Sequence, residues 1–227
     1  MAANQSVTYA IDLVMCIDGT SSMSSFIKEV KSSALDFYKQ IEAKMKERSK
    51  KIHQLRAKVI VFRDHWADSP GIVMQSSKFF DLRSESSDFT NFISKIKAEG
   101  GSNGLRNGLE AVGLALKSDW EKGDFSKKRY VVVVYTNAGA HSLEKGGKLN
   151  YYPNNPPKTF DELTDYWHDM PVSAKRLVLF APDVEPWTVM SSWENTVHYV
   201  SEAGNGLEKV DKEQILDVLG TGIWNSI

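Results

Sequence analysis

The sequence predicts an α/β protein: a three-layer, doubly wound, Rossmann-like fold built on a mostly parallel sheet with one antiparallel edge strand. Three observations carry this. Near-continuous apolar runs at residues 9–17, 57–62, 130–135 and 176–181 have the length and composition of strands buried on both faces. Segments with helical spacing of apolar residues separate most of these runs, which is the order of a parallel sheet with crossover helices. Residues 72–74 follow the second run too closely for a crossover, so they predict an antiparallel edge strand.

The elements follow in order. The first strand stops at Asp18, and a polar turn, Gly19-Thr20-Ser21-Ser22, leads into a helix. Phe26, Val30, Ala34, Phe37, Ile41 and Met45 then recur at steps of three and four, one apolar helical face. The basic stretch 44–51 reads as its solvated end. The second strand ends in Arg63-Asp64-His65, and Pro70-Gly71 marks a turn before the edge strand. A helix over about 87–98 presents Phe89, Phe92, Ile93 and Ile96, with Gly100-Gly101 as its stop. The next helix carries Leu105, Leu109, Val112, Leu116 and Trp120. The four valines 131–134 give the plainest strand, ending at Thr136-Asn137-Ala138-Gly139. A Gly/Asn/Pro-rich loop covers about 145–158. After the strand 176–181, helices are expected near 186–196, with Pro186 at the first turn, and near 212–219, with a short strand 197–200 between them.

Composition limits the function. The chain has 227 residues, is 41% apolar and 25% charged, and carries a net charge of −1, which fits one globular domain over 1–227 and argues against disorder. Its 28 basic and 29 acidic residues give no electrostatic reason for a nucleic-acid partner. The single cysteine, Cys16, excludes an intrachain disulfide and a cysteine-based zinc cluster. No apolar run approaches the roughly 18 residues of a membrane span, and residues 1–8 lack the basic start of a signal peptide. The expectation is a cytoplasmic protein with no membrane partner.

In doubly wound sheets ligands bind beyond the carboxyl ends of the strands, so polar clusters there are the candidates. The foremost is Asp18-Gly19-Thr20-Ser21-Ser22, one carboxylate and two hydroxyls at alternate positions directly after a buried strand. Hard cations such as Mg²⁺ take such oxygen ligands. The same residues also suit a turn whose hydroxyls cap the next helix.

The segment Ile11-Asp12-Leu13-Val14-Met15-Cys16-Ile17-Asp18-Gly19-Thr20-Ser21-Ser22-Met23 resembles the first motif of von Willebrand factor A-type (vWA) domains, Asp-x-Ser/Thr-x-Ser after the first strand. Gly100-Gly101-Ser102 resembles the second motif, where the family usually has a Thr ligand. Residues 131–139 resemble the strand that ends in Thr-Asp-Gly. Phe62-Arg63-Asp64-His65, Ser118-Asp119-Trp120 and the strand 177–182 are similar to intracellular bacterial members and to the A-type domains beside alpha-kinases. The resemblance implies a metal-ion-dependent adhesion site (MIDAS) holding Mg²⁺ or Mn²⁺ through Asp18, Thr20, Ser22, Ser102 and Asn137. It also implies a protein partner whose acidic side chain completes the metal shell. Two departures lower the charge offered to a cation: Asn137 stands where the family has Asp, and the second loop reads Ser102-Asn103-Gly104-Leu105-Arg106.

Asp64 follows the second strand and is a candidate to restore that charge, or else to pair with Arg63. His65 and His141 follow strand ends without metal-ligand spacing. The phosphatase pattern Asp-x-Asp-Gly-Thr, aligned on Gly19-Thr20, puts Cys16 where the nucleophilic carboxylate belongs, so the required pair is missing. No Gly-x-Ser-x-Gly or Walker A pattern occurs. Cys16 reads as a small buried hydrophobe. Tyr151-Tyr152-Pro153 and Tyr166-Trp167 are either binding anchors or packing beneath the long loop. The expectation is a protein-binding module rather than an enzyme, with a metal-free scaffold and a Mg²⁺-dependent phosphotransfer or hydrolytic enzyme as alternatives.

Overall fold

The structure, a computed structural model, describes residues 7–34, 37–47, 51–102, 104–146 and 156–201. Its strands are β1 (Tyr9–Asp18), β2 (Ile52–Phe62), β3 (Met74–Ser76), β4 (Phe80–Asp81), β5 (Lys127–Tyr135), β6 (Lys175–Pro182) and β7 (Thr196–Ser201). Its helices are α1 (Ser24–Ser33), α2 (Phe37–Glu47), α3 (Pro70–Val73), α4 (Ser86–Lys95), α5 (Gly108–Leu116), α6 (Leu143–Gly146), α7 (Phe160–Asp169) and α8 (Trp187–Met190). The sheet order is β3-β2-β1-β5-β6-β7, with β4 also on β2. β3 and β4 run antiparallel to β2, and the other pairings are parallel.

Strand periodicity divides the core into two halves. Ile11, Leu13, Met15 and Ile17 of β1 join Val131 and Val133 of β5 on one face, beneath Phe26, Ile27, Ile41, Phe89 and Ile93. Val14 and Cys16 join Val132 and Val134 on the other, beneath Leu109, Val112, Leu163, Trp167 and Trp187. α1, α2 and α4 therefore cover one face and α5, α7 and α8 the other, which makes three layers. Both faces of β1 are buried, and this explains its unbroken apolar sequence. Among the described residues no helix is long and apolar enough to cross a membrane.

Several boundaries differ from the sequence reading. The long first helix is two helices, α1 and α2. The edge strand starts at Met74, and Ile72 lies in the one-turn helix α3. α4 ends at Lys95, because Ile96 is already extended (ψ 127°). Gly100 and Gly101 therefore lie beyond the end of α4 and do not stop it. α5 starts only at Gly108, which leaves Leu105 exposed in the preceding loop. The helix expected over 186–196 is the single turn α8, preceded by Pro186, and Thr196 already belongs to β7. Lys145 lies in α6. α7 was not anticipated; its Thr159 cap accepts a hydrogen bond from the Glu162 amide. Trp167 on α7 is fully buried, so this half of the Tyr166-Trp167 pair is packing. The Tyr151-Tyr152-Pro153 anchor and the helix near 212–219 lie outside the described residues.

Candidate functional site

The sheet register brings three chain segments to one edge. Asp18 pairs with Phe62, and Ile17 with Tyr135, so the residues just beyond β1, β2 and β5 meet at their carboxyl ends. Residues 100–102 and 104–106 lie against them: Ser21 N–H donates to the Gly100 carbonyl at 3.2 Å and Arg106 N–H to the Gly139 carbonyl at 3.0 Å. Gly100 and Gly101 take positive φ, 72° and 85°. A Cβ on Gly100 would meet Asp68 Oδ1 at 2.0 Å, and one on Gly101 would meet Thr20 Cγ2 at 2.6 Å. They let the loop come close to the strand ends rather than stopping a helix.

Asp18 is the centre. Its Oδ1 accepts from Thr20 N–H at 3.0 Å and from Thr20 Oγ1–H at 2.6 Å. Its Oδ2 accepts from Thr136 Oγ1–H at 2.8 Å, and Arg106 Nε stands 3.9 Å away. Burial pushes the Asp18 carboxyl above its usual range, and the Thr20, Arg106 and Thr136 contacts offset part of that. Thr20 Oγ1 lies 3.2 Å from Ser22 Oγ, which donates to Asn137 Oδ1 at 3.2 Å. The buried Asn137 Nδ2 has no hydrogen-bond partner. Asp18, Thr20, Ser22 and Asn137 thus form one connected set.

Ser102 and Asp64 form a second set. Ser102 Oγ–H donates to Asp64 Oδ2 at 2.5 Å, while Trp66 N–H donates to Asp64 Oδ1, and His141 Nε2 lies 2.9 Å from that same oxygen. Burial raises the Asp64 pKa, but these partners outweigh it and hold the carboxyl below its usual range. Arg63 does not pair with Asp64. Its buried guanidinium instead donates to the carbonyls of Gly19, Ile72, Lys97 and Glu99. His65 Nδ1 contacts Asn107 Nδ2, which also donates to Glu110 Oε1 at 2.9 Å. Burial lowers the His65 pKa and raises that of the buried Glu110 to about 7. Neither imidazole touches Thr20 or Ser22.

Three exposed apolar side chains lie near these groups. Trp66, 66% exposed, lies against His65 with ring centroids 4.7 Å apart. Leu105 and Val184 are also exposed, and both flank Gly139. Sequence reasoning missed Thr136 as a partner of Asp18, although its place directly after β5 in a parallel sheet was the available signal. It noticed Arg106 only as a departure from the family pattern.

The oxygen spacing suits a hard cation. Adjacent ligands of an octahedral Mg²⁺ stand about 3 Å apart, close to the 3.2 Å steps from Thr20 Oγ1 to Ser22 Oγ and on to Asn137 Oδ1. Among the described residues no group of three or more His, Cys, Asp or Glu side chains is placed to hold an ion. A cation here would rest on one carboxylate and neutral oxygens.

No protein-family model matches the sequence, and neither does any curated protein. Among solved structures, two crystal structures of the pilus adhesin SpaC from Lactobacillus rhamnosus GG, one in an open conformation, resemble the chain with TM-scores of 0.56 and 0.55 at 12% identity. The match covers 95% of this chain but only 30% of the adhesin. At that identity the likeness shows a shared fold alone, a mostly parallel α/β architecture.

Proposed function

We propose that the chain is a vWA-type protein-binding module that docks its partner at the Asp18 edge and holds Mg²⁺ or Mn²⁺ there. The observation that carries this reading is the run of oxygens from Thr20 through Ser22 to Asn137, set over the buried Asp18 carboxylate. In this reading Thr20, Ser22 and Asn137 face the ion, and Asp18 supplies the charge and orients Thr20. A bound ion would supply an electrophile with exchangeable waters, which a partner's acidic side chain can join. Ser102 and Asp64 act as a neighbouring buttress, because each already satisfies the other. The exposed Trp66, Leu105 and Val184 would supply apolar contact near that polar centre.

Binding rather than turnover is supported by the state of the hydroxyls. Thr20 donates to Asp18 and Ser22 to Asn137, and no imidazole stands beside either as a general base. Arg106 favours a second reading, a metal-free module of the same fold, because its guanidinium already places positive charge near Asp18.

Thermal unfolding with and without Mg²⁺ or Mn²⁺ tests the metal. A ligand at ten times its Kd adds about 1.4 kcal/mol to the folded state, so wild type should gain a few degrees and Asp18→Ala none. Equal shifts in the two proteins would refute the site. Capture of partners with and without EDTA separates the two readings.

A further inference from the structure

Arg106 occupies an unusual position for a surface-loop residue. Only 5% of it is exposed. Its two terminal nitrogens are engaged: Nη1 donates to the carbonyls of Gly104 and Leu105 at 3.2 and 3.0 Å, and Nη2 to that of Ser102 at 2.7 Å. Its backbone joins the neighbouring loop, with the amide on Gly139 and the carbonyl accepting from His141 N–H at 2.8 Å. The remaining donor, Nε, has no hydrogen-bond partner and stands 3.9 Å from Asp18 Oδ2. Thr136 Oγ1 is the close donor to that oxygen. The guanidinium therefore acts on Asp18 through charge, with its hydrogen bonds spent on the loop.

We propose that Arg106 is the resident counter-cation of the Asp18 site, neutralising the carboxylate in the absence of a divalent ion and competing with one that enters. This rests on the metal reading above and adds its regulation. An always-charged group within 4 Å of the sole carboxylate of the set opposes an arriving Mg²⁺ in two ways. It has already satisfied the charge that would attract the ion, and it repels the ion directly. The same residue anchors the loop that carries Ser102 and the exposed Leu105. Ion entry and the seating of that loop are consequently coupled through one side chain. The site behaves as a low-affinity ion site whose occupancy is felt at Leu105.

The test compares wild type, Arg106→Gln and Arg106→Lys by calorimetric titration with Mg²⁺ and by electron paramagnetic resonance with Mn²⁺. Gln removes the charge and Lys keeps it, while both lose the guanidinium fork. Arg106→Gln should bind the ion about tenfold or more tightly than wild type, and Arg106→Lys should stay within about twofold of wild type. If wild type binds and Arg106→Gln binds no tighter, or if Lys gains as much as Gln, the counter-cation role is overturned and the metal reading stands. If no variant binds either ion, both fail together. A measurement on the unmutated protein guards against a variant that does not fold. The Arg106 Nε–H resonance should shift during Mg²⁺ titration with the same midpoint as binding, and an unmoved resonance at saturation would overturn the proposal.

Discussion

Thr136→Val isolates the support given to the buried Asp18. Valine matches threonine in shape, and Thr136 is fully buried, so the substitution removes a hydroxyl without opening a cavity. Three contacts are lost: the 2.8 Å donation to Asp18 Oδ2, a longer 3.4 Å donation to the Ala138 carbonyl and the 3.2 Å acceptance from Ala138 N–H. A hydrogen bond to a charged group contributes about 1.5–3 kcal/mol. The carboxylate keeps its Thr20 contacts and the nearby Arg106, which places the loss near the middle of that range, about 2 kcal/mol. For a chain of this size that corresponds to a fall in Tm of about 4–8 °C. The pH dependence distinguishes this cause from a general packing defect. The Thr136 bond favours the ionised carboxylate, so the deficit should be largest where Asp18 is charged and should shrink as acid protonates it. Urea denaturation of both proteins across a pH series measures this directly. A deficit below about 0.5 kcal/mol where Asp18 is charged, or one that does not vary across the pH series, would refute the reasoning.

Four further outcomes are expected. Glu110→Gln should stabilise the protein by about 3 kcal/mol at pH 8 and far less at pH 5. Burial raises the Glu110 pKa to about 7, so the stability associated with its neutral form is present below the unfolded value and is lost as pH rises through 7; denaturation at the two pH values measures it, and an equal effect at both would contradict the assignment. Asn137→Asp should tighten Mg²⁺ binding measured by calorimetry, since it adds a carboxylate beside Ser22, and weaker binding would argue against direct approach of the ion to this residue. Gly101→Ala should lower Tm measurably, because it combines φ of 85° with a Cβ placed 2.6 Å from Thr20 Cγ2; an unchanged Tm would show that the loop does not need this close approach. Cys16, buried with its thiol pushed up to about 12, should resist thiol reagents in the folded protein and react on unfolding, and fast labelling of the native state would place it in an accessible environment.

The sheet was legible because burial on both faces leaves a simple mark. The unbroken apolar run of β1 and the four valines of β5 identified central strands, and the short interval after β2 identified the antiparallel edge. The helices were less legible where local pattern and tertiary demand diverged. Leu105 continued the apolar spacing of α5, but Arg106 draws that stretch into a loop over Asp18. α7 was hidden because a Gly/Asn/Pro-rich approach masked its Thr159 cap. At the candidate site, Asp18, Thr20 and Ser22 were identified from the end of the first strand and Asn137 through the vWA resemblance, and the structure joins all four. Ser102 was expected among them but bonds to Asp64. No sequence spacing distinguishes a hydroxyl facing the Asp18 set from one facing a carboxylate beside it. Arg63 was read only as a neighbour of Asp64, since nothing local reveals that a side chain will be satisfied by distant carbonyls.

Arg63 also divides the site mechanically. One guanidinium clasps the carbonyls of Gly19, Ile72, Lys97 and Glu99, and the Glu99 amide donates back to the Gly19 carbonyl at 3.0 Å. Displacing any one of these segments would strand a buried positive charge, so the start of the Asp18 turn and the approach to Gly100 form a fixed jaw. The stretch beyond Gly101, fastened by Arg106 to Gly139 and His141 instead, is the opposing jaw. The two positive-φ glycines stand at the joint between them, where the Gly101 amide is held by the Asp68 carboxylate at 3.0 Å and the Gly100 carbonyl by Ser21, so the joint is pinned from both sides.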